Sequence, residues 1–175
     1  MKKSLFILVF IVFLLQSCSA QNRQLSAGDS MPRFSLKNQN DSLINVQDYI
    51  GKKLLVIYFY PKDESWVCTK EACAFRDSIT DFIKAGAMVI AINSGSVASH
   101  KEFQQKHGLP FMLLSDPDGK VSEMFGVKDG LASERVTFIV DKTGQIVFTY
   151  NSLINGKEHV QKALEFIREM KNRDN

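Results

Sequence analysis

Two cysteines five residues apart, Cys68 and Cys73, are the residues of this chain best suited to do chemistry. Cys68 follows a continuous apolar run, Leu54 to Tyr60, then Pro61 and a short loop, and stands where the next helix is expected to begin. There the orphan N–H groups and the helix dipole favour an anion, so a thiolate is stabilised. A structural cysteine would sit inside an apolar stretch, whereas Cys68 has Ser65, Trp66, Thr69, Lys70 and Glu71 around it. Position alone therefore favours a reactive thiol. The third cysteine, Cys18, is remote; three cysteines are too few for a disulfide scaffold and too widely spaced for a zinc ribbon. His100 and His107 lie about 10.5 Å apart along one expected helix and cannot share a metal. His159 falls on another helix, as a surface or packing residue.

The elements that must position these groups follow from periodicity. Leu54 to Tyr60 reads as a strand buried on both faces and stopped by Pro61. Ala72, Phe75, Ile79, Phe82 and Ile83 recur at helical spacing, and Gly86 supplies the stop. Ala87 to Ile92 is a second buried strand, and Val97 to His107 a helix ended by Gly108. Phe34 to Leu36 and Leu43 to Val46 look like short strands near an edge, and Phe111 to Leu114 is another strand. Pro117-Asp118-Gly119 turns into a short helix through Phe125. Val136 to Val140 and Ile146 to Tyr150 flank a hairpin turn. Asn155 and Glu158 resemble a capping box opening a last helix, with Val160, Ala163, Leu164 and Ile167 on one face. Strand–helix alternation with a terminal hairpin gives an α/β three-layer sandwich.

Composition narrows the class. The 175 residues are 45% hydrophobic and 23% charged, which excludes collagen-like and largely disordered chains and leaves room for one core. Two of the 22 basic side chains, Lys2 and Lys3, lie in the first 17 residues, which hold no acid; the rest carries 20 basic and 19 acidic groups. A near-neutral remainder without a Lys/Arg run argues against a nucleic-acid partner. The 11 apolar residues from Leu5 to Leu15 are too few to span a membrane and fit the core of a secretory signal. Leu15-Gln16-Ser17-Cys18 resembles the bacterial lipobox, in which the cysteine is diacylated and becomes the first mature residue. The alternative is an ordinary signal cleaved near Ala20. The expected layout is a signal peptide at 1–17, a tether at 18–27 and one domain at 28–175. The expected location is outside the cytoplasm, anchored by lipid to a bacterial membrane on its periplasmic side or at the cell surface. A lipidated Cys18 takes no part in redox chemistry, which leaves Cys68 and Cys73.

The stretch from Tyr58 to Asp77 resembles the active-site segment of the peroxiredoxins, whose signature is proline, three residues, threonine or serine, two residues, cysteine. Pro61, Ser65 and Cys68 fit it, and a cysteine five residues on, Cys73, is typical of the bacterioferritin-comigratory-protein or Q type. Leu109-Pro110-Phe111, Ser115-Asp116, Phe125-Gly126-Val127 and Arg135 to Asp141 extend the resemblance to the last helix. Trp66 and Val67 depart from it, standing where that type often has proline and glycine, and Asn93-Ser94-Gly95-Ser96 lacks the usual aspartate. The resemblance implies a thioredoxin-like fold with a central mixed sheet and a thiol peroxidase acting on hydrogen peroxide and organic hydroperoxides. It further implies Cys68 as the peroxidatic thiolate, Cys73 as the resolving thiol, and Arg135 as the cation that stabilises thiolate and peroxide. Ser65 would be a hydroxyl partner and Pro61 a shield. A thioredoxin-like dithiol protein would restore the thiols, no metal, haem or flavin is implied, and a monomer is expected.

Two other functions fit the same scaffold. A membrane-anchored thioredoxin-like thiol–disulfide oxidoreductase has two residues between its cysteines, where this chain has four. A non-catalytic lipoprotein binding module would have no need of Ser65, Cys68 and Arg135 together.

Overall fold

Leu54 to Phe59 alternate their side chains between two apolar layers, and that alternation organises the molecule. The computed structural model describes residues 23–128 and 134–173; the expected signal peptide and Cys18 lie outside the described residues. The strands are β1 (Ser35–Asn38), β2 (Leu43–Asn45), β3 (Leu54–Phe59), β4 (Ala87–Asn93), β5 (Met112–Ser115), β6 (Val136–Val140) and β7 (Ile146–Asn151). They form one sheet in the order β2-β1-β5-β4-β3-β6-β7. Strands β3, β4 and β5 are parallel to one another, and β6, β7, β1 and β2 add antiparallel neighbours, so the sheet is mixed. The helices are α1 (Trp66–Asp77), α2 (Ile79–Lys84), α3 (Val97–His107), α4 (Lys120–Met124) and α5 (Gly156–Arg173), and a 3-10 turn spans Val46–Tyr49.

Val56 and Tyr58 of β3 face a core completed by Phe75 of α1, Phe82 of α2, Phe103 of α3 and Ala163 and Ile167 of α5. The Tyr58 and Phe75 rings stack at 4.4 Å. Leu55, Ile57 and Phe59 face the other layer with Phe34, Val121, Phe125, Phe138 and Ile146. The fold is α/β, with the sheet between two apolar layers.

Several boundaries differ from the expected ones for physical reasons. The helical spacing from Ala72 to Ile83 belongs to two helices. Ser78 (φ −101°, ψ 4°) leaves helical geometry, and its N–H turns back to the Ala74 and Arg76 carbonyls, closing α1 before α2 starts. The phase shift leaves Phe82 buried and Ile83 exposed. Phe34 is not in a strand: its N–H donates to Gln47 Oε1 and its ring packs edge-on to Phe125. At the start of α5, Asn155 Nδ2 donates to Glu158 Oε2 at 3.0 Å, and the Glu158 N–H takes the Asn155 backbone carbonyl, a side-chain pair in place of reciprocal caps. Within the segment expected as a tether, residues from Arg23 on are fastened to the fold. Leu25 N–H donates to the Phe125 carbonyl at 2.9 Å and Arg23 pairs with Asp29.

Candidate active site

Pro61 follows β3, and five residues later α1 begins. The loop between is held by buried polar contacts. Asp63 accepts from Tyr60 Oη at 2.6 Å, Asn93 Nδ2 at 3.0 Å and Ser99 Oγ at 2.6 Å, and faces His100 Nδ1 at 2.8 Å. Burial opposes its charge, but the contacts with His100, Ser99 and Tyr60 outweigh burial and bring the carboxyl down to about 2. Glu64 next to it adopts φ 59°, an uncommon conformation for a residue with a Cβ, and is gripped by Lys106 and His107 at 2.6 and 3.2 Å. Asp63 and Glu64 thus tie the loop to α3. None of this network is predicted from the sequence, where Asp63 and Glu64 look like loop polars.

Ser65 is the N-cap of α1: its backbone is extended and its Oγ accepts from the Cys68 N–H at 3.4 Å. Cys68 therefore sits in the first turn, buried, with its sulfur close to the positive end of the helix.

The opposite wall comes from β6. Val136 pairs with Phe59 and Thr137 with Tyr58, so Arg135 emerges beside the end of β3, where the chain leaves for α1. Its side chain is almost fully buried. Arg135 Nη2 donates to Cys68 Sγ at 3.2 Å, Nη1 donates to the Glu71 carboxylate, and Nε donates to the Leu153 carbonyl at 3.3 Å. Three partners in three directions fix the guanidinium plane. Burial works against its charge, but Glu71 and Cys68 beside it outweigh burial and its proton is held more tightly than usual.

Glu71 is completely buried, one turn after Cys68 on the same helix face. Complete burial pushes its carboxyl up to about 8 in spite of Arg135. Its Oε1 accepts no hydrogen bond among the described residues; His159 Nδ1 lies 3.8 Å away. That ring is occupied elsewhere. His159 Nε2–H donates to the Ser152 carbonyl at 2.9 Å, which leaves Nδ1 to accept from the Thr137 hydroxyl at 2.8 Å. Burial, aided by the Arg135 charge, holds His159 neutral, down to about 4. The result is a buried polar cluster with one cation between a thiol and a carboxyl.

Of the residues singled out from the sequence, Ser65, Cys68 and Arg135 are brought together. Cys73 is half-buried on the same helix and carries a free thiol. On a regular helix its Cα stands about 8.7 Å from that of Cys68, beyond the ~7 Å a disulfide tolerates. Pro61 is half-buried at the end of β3. His100 and His107 serve Asp63 and Glu64, and among the described residues no His, Cys, Asp or Glu cluster could hold a metal. The motif names neither Glu71 nor His159; the one sign in the sequence is that Glu71 stands three positions after Cys68, on the helix face shared with Ala72 and Phe75.

Comparison with known proteins gives the constellation a family. Residues 27–149 match the AhpC/TSA family. The chloroplastic peroxiredoxin Q of Oryza sativa subsp. japonica is 39% identical over 163 residues, covering 89% of this chain and 75% of the relative. Among solved structures, the peroxidoxin BcpB of Mycobacterium tuberculosis superposes with a TM-score of 0.79 at 30% identity, over 83% of this chain and 98% of that one. A cysteine-to-serine mutant of peroxiredoxin Q from Xanthomonas campestris gives 0.71 at 31% identity, over 81% and 98%. With its mixed seven-stranded sheet in the thioredoxin-like arrangement of these neighbours, the chain belongs to the peroxiredoxins of the AhpC/TSA family, Q type, and is a thiol peroxidase.

Proposed function

We propose that this peroxidase reduces hydrogen peroxide and organic hydroperoxides with Cys68 as the peroxidatic residue and Cys73 as the resolving one. The contact of Arg135 Nη2 with Cys68 Sγ at 3.2 Å, at the N-terminus of α1, carries the reading. The Cys68 thiolate attacks one peroxide oxygen. An S–O bond forms, the O–O bond breaks, and the second oxygen leaves with the electron pair, takes a proton and departs as water or alcohol. Arg135 faces both the sulfur and the oxygen on which charge develops, so it lowers the barrier. Ser65 fixes the first turn of α1 and offers a hydroxyl beside the thiolate, and Pro61 shields that site.

The Cys68 sulfenic acid then condenses with the Cys73 thiol, releasing water and forming an intramolecular disulfide. Helix geometry requires α1 to unwind for this step. A thioredoxin-like dithiol protein reduces the disulfide by exchange. The sequence of residues 1–18 supports export, with lipid on Cys18 holding a monomeric domain at a bacterial membrane. The test is peroxide consumption by the full chain with a thioredoxin system, beside Cys68→Ser. Turnover in the first and none in the second is expected; equal rates would refute it.

A further inference from the structure

Next to the buried cluster, on the first turn of α1 and at the Leu153 that Arg135 holds, lies an apolar surface that the peroxidase chemistry does not use. Trp66, Leu153 and Ile154 are 73%, 56% and 75% exposed. Trp66 and Ile154 line a groove of about 470 Å³ between the first turns of α1 and α5, with Val67, Lys70, Lys157 and Gln161. Lys70 Nζ lies 3.3 Å from the centre of the Trp66 ring. Among the described residues no carboxylate pairs with Lys70 or Lys157. Glu158, the acid on the rim, is held by Asn155 Nδ2. The face therefore combines an amphipathic aromatic ring, two aliphatic side chains and two cations that no carboxylate among the described residues neutralises. That is the chemistry of a membrane–water interface with anionic headgroups.

The entry point of the chain into the fold supplies the second argument. Gln24 Oε1 accepts from Asn151 Nδ2 at 3.0 Å, at the last residue of β7, two positions before Leu153. Six steps of chain separate Gln24 from Cys18 and, even fully extended, reach about 20 Å. A domain of this size is about 40 Å across. A lipid at Cys18 therefore keeps the 151–154 corner, together with the Phe125–Gly126 turn that Arg23 and Leu25 touch, within reach of the bilayer and cannot turn the opposite side to it. We infer that the face formed by Trp66, Leu153 and Ile154 rests on the headgroup region of an anionic phospholipid membrane, with Lys70 and Lys157 against the phosphates. The peroxidatic helix then begins at the membrane surface. The orientation rests on lipidation of Cys18, whereas the affinity of the face for lipid is a property of the described residues.

Trp66 is the only tryptophan of the chain and reports directly. The chain purified from bacterial membranes, with its Cys18 adduct read by mass spectrometry, is placed on phosphatidylglycerol vesicles with plain or brominated acyl chains. The expected result is a blue shift of the Trp66 emission and a loss of about half its intensity in brominated vesicles. Both should be abolished in Ile154→Glu/Lys157→Glu, with the melting temperature as the check on folding. Lipid on Cys18 with Trp66 unquenched, or quenched equally in the variant, overturns the docking face and leaves the anchor standing. No lipid on Cys18, with quenching by added vesicles that the variant loses, removes the anchor and supports the face. Emission that ignores vesicles and shifts only with added thioredoxin assigns the face to the reductant and overturns the proposal.

Discussion

Arg135 stands between two buried groups that both prefer its charge. It donates to the Cys68 sulfur with one nitrogen and to Glu71 with another, and Leu153 holds its third edge. Arg135→Ala should slow the peroxide step by roughly 10²–10³-fold, the usual cost of removing one fixed donor from a developing oxyanion. The same change should alter the alkylation rate of Cys68, because the cation held 3.2 Å from its sulfur is lost. It also leaves the buried Glu71 carboxyl without its hydrogen-bond donor, so a stability loss of about 1–3 kcal/mol is expected. Arg135→Lys should fall between, since an ammonium keeps the charge but cannot serve both partners as a planar fork. Stopped-flow peroxide rates and alkylation against pH check this; unchanged values would make Arg135 a bystander. Cys68, Ser65 and Arg135 were legible because the motif names them. Glu71 was not, because a glutamate in an amphipathic helix ordinarily faces water. What buries it is α5 packing across α1, a contact between residues more than eighty positions apart that no local pattern encodes.

In the proposed cycle helix α1 is firm enough to present Cys68 and weak enough to release Cys73. Its N-cap contact is long, at 3.4 Å, and its buried face carries Glu71, a charge-bearing group that water would welcome. Burial places the folded-state Glu71 carboxyl at about 8, above the ~4.3 of a solvated glutamate. The folded helix therefore binds the extra proton, and the stability it lends is full below pH ~4.3 and lost as pH rises through about 8. Unwinding of α1 should become easier across that interval. Hydrogen exchange of residues 68–77, corrected for the intrinsic rate, should show protection falling between pH 6 and pH 8, and Glu71→Gln should flatten the trend. A trend that survives in Glu71→Gln would place its origin elsewhere. The α1–α5 contact depends on a glycine: a Cβ at Gly156 would stand 2.9 Å from Glu71 Cβ and 3.2 Å from the Val67 carbonyl. Gly156→Ala should cost about 1–3 kcal/mol and lower the melting temperature by several degrees. An unchanged melting temperature would mean the helices separate freely. The expected helix from Ala72 to Ile83 shows why element boundaries were only partly legible: apolar spacing ran on through Ser78, where the backbone breaks to let α2 pack differently. Val97–His107 matched the expected helix because Ser96 and Gly108 mark its ends in local chemistry, a side-chain cap and a left-handed glycine.

At the scale of the whole chain, the buried strands were legible from their unbroken apolar runs, and the central pair β3 and β4 formed where expected. Strand order was not, since the placement of β1 beside β5 depends on contacts far apart in sequence. Residues 23–27 look like a polar tether by composition, yet Leu25 is bonded to Phe125 and Gln24 to Asn151, partners that only the folded chain brings near. What precedes them decides where the enzyme works. With lipid on Cys18 the chain should partition into the detergent phase and yield an acylated N-terminal peptide, whereas Cys18→Ser should stay in the aqueous phase; a free N-terminus beyond Cys18 would contradict anchoring.

The division of labour between the two cysteines is tested most directly by stopped flow on the reduced chain with hydrogen peroxide and a thioredoxin system. The wild-type chain should turn over repeatedly and form a disulfide between Cys68 and Cys73. Cys73→Ser should consume one equivalent of peroxide, leave a sulfenic acid on Cys68 that dimedone traps, and then stall. Full multiple turnover in Cys68→Ser would contradict the account.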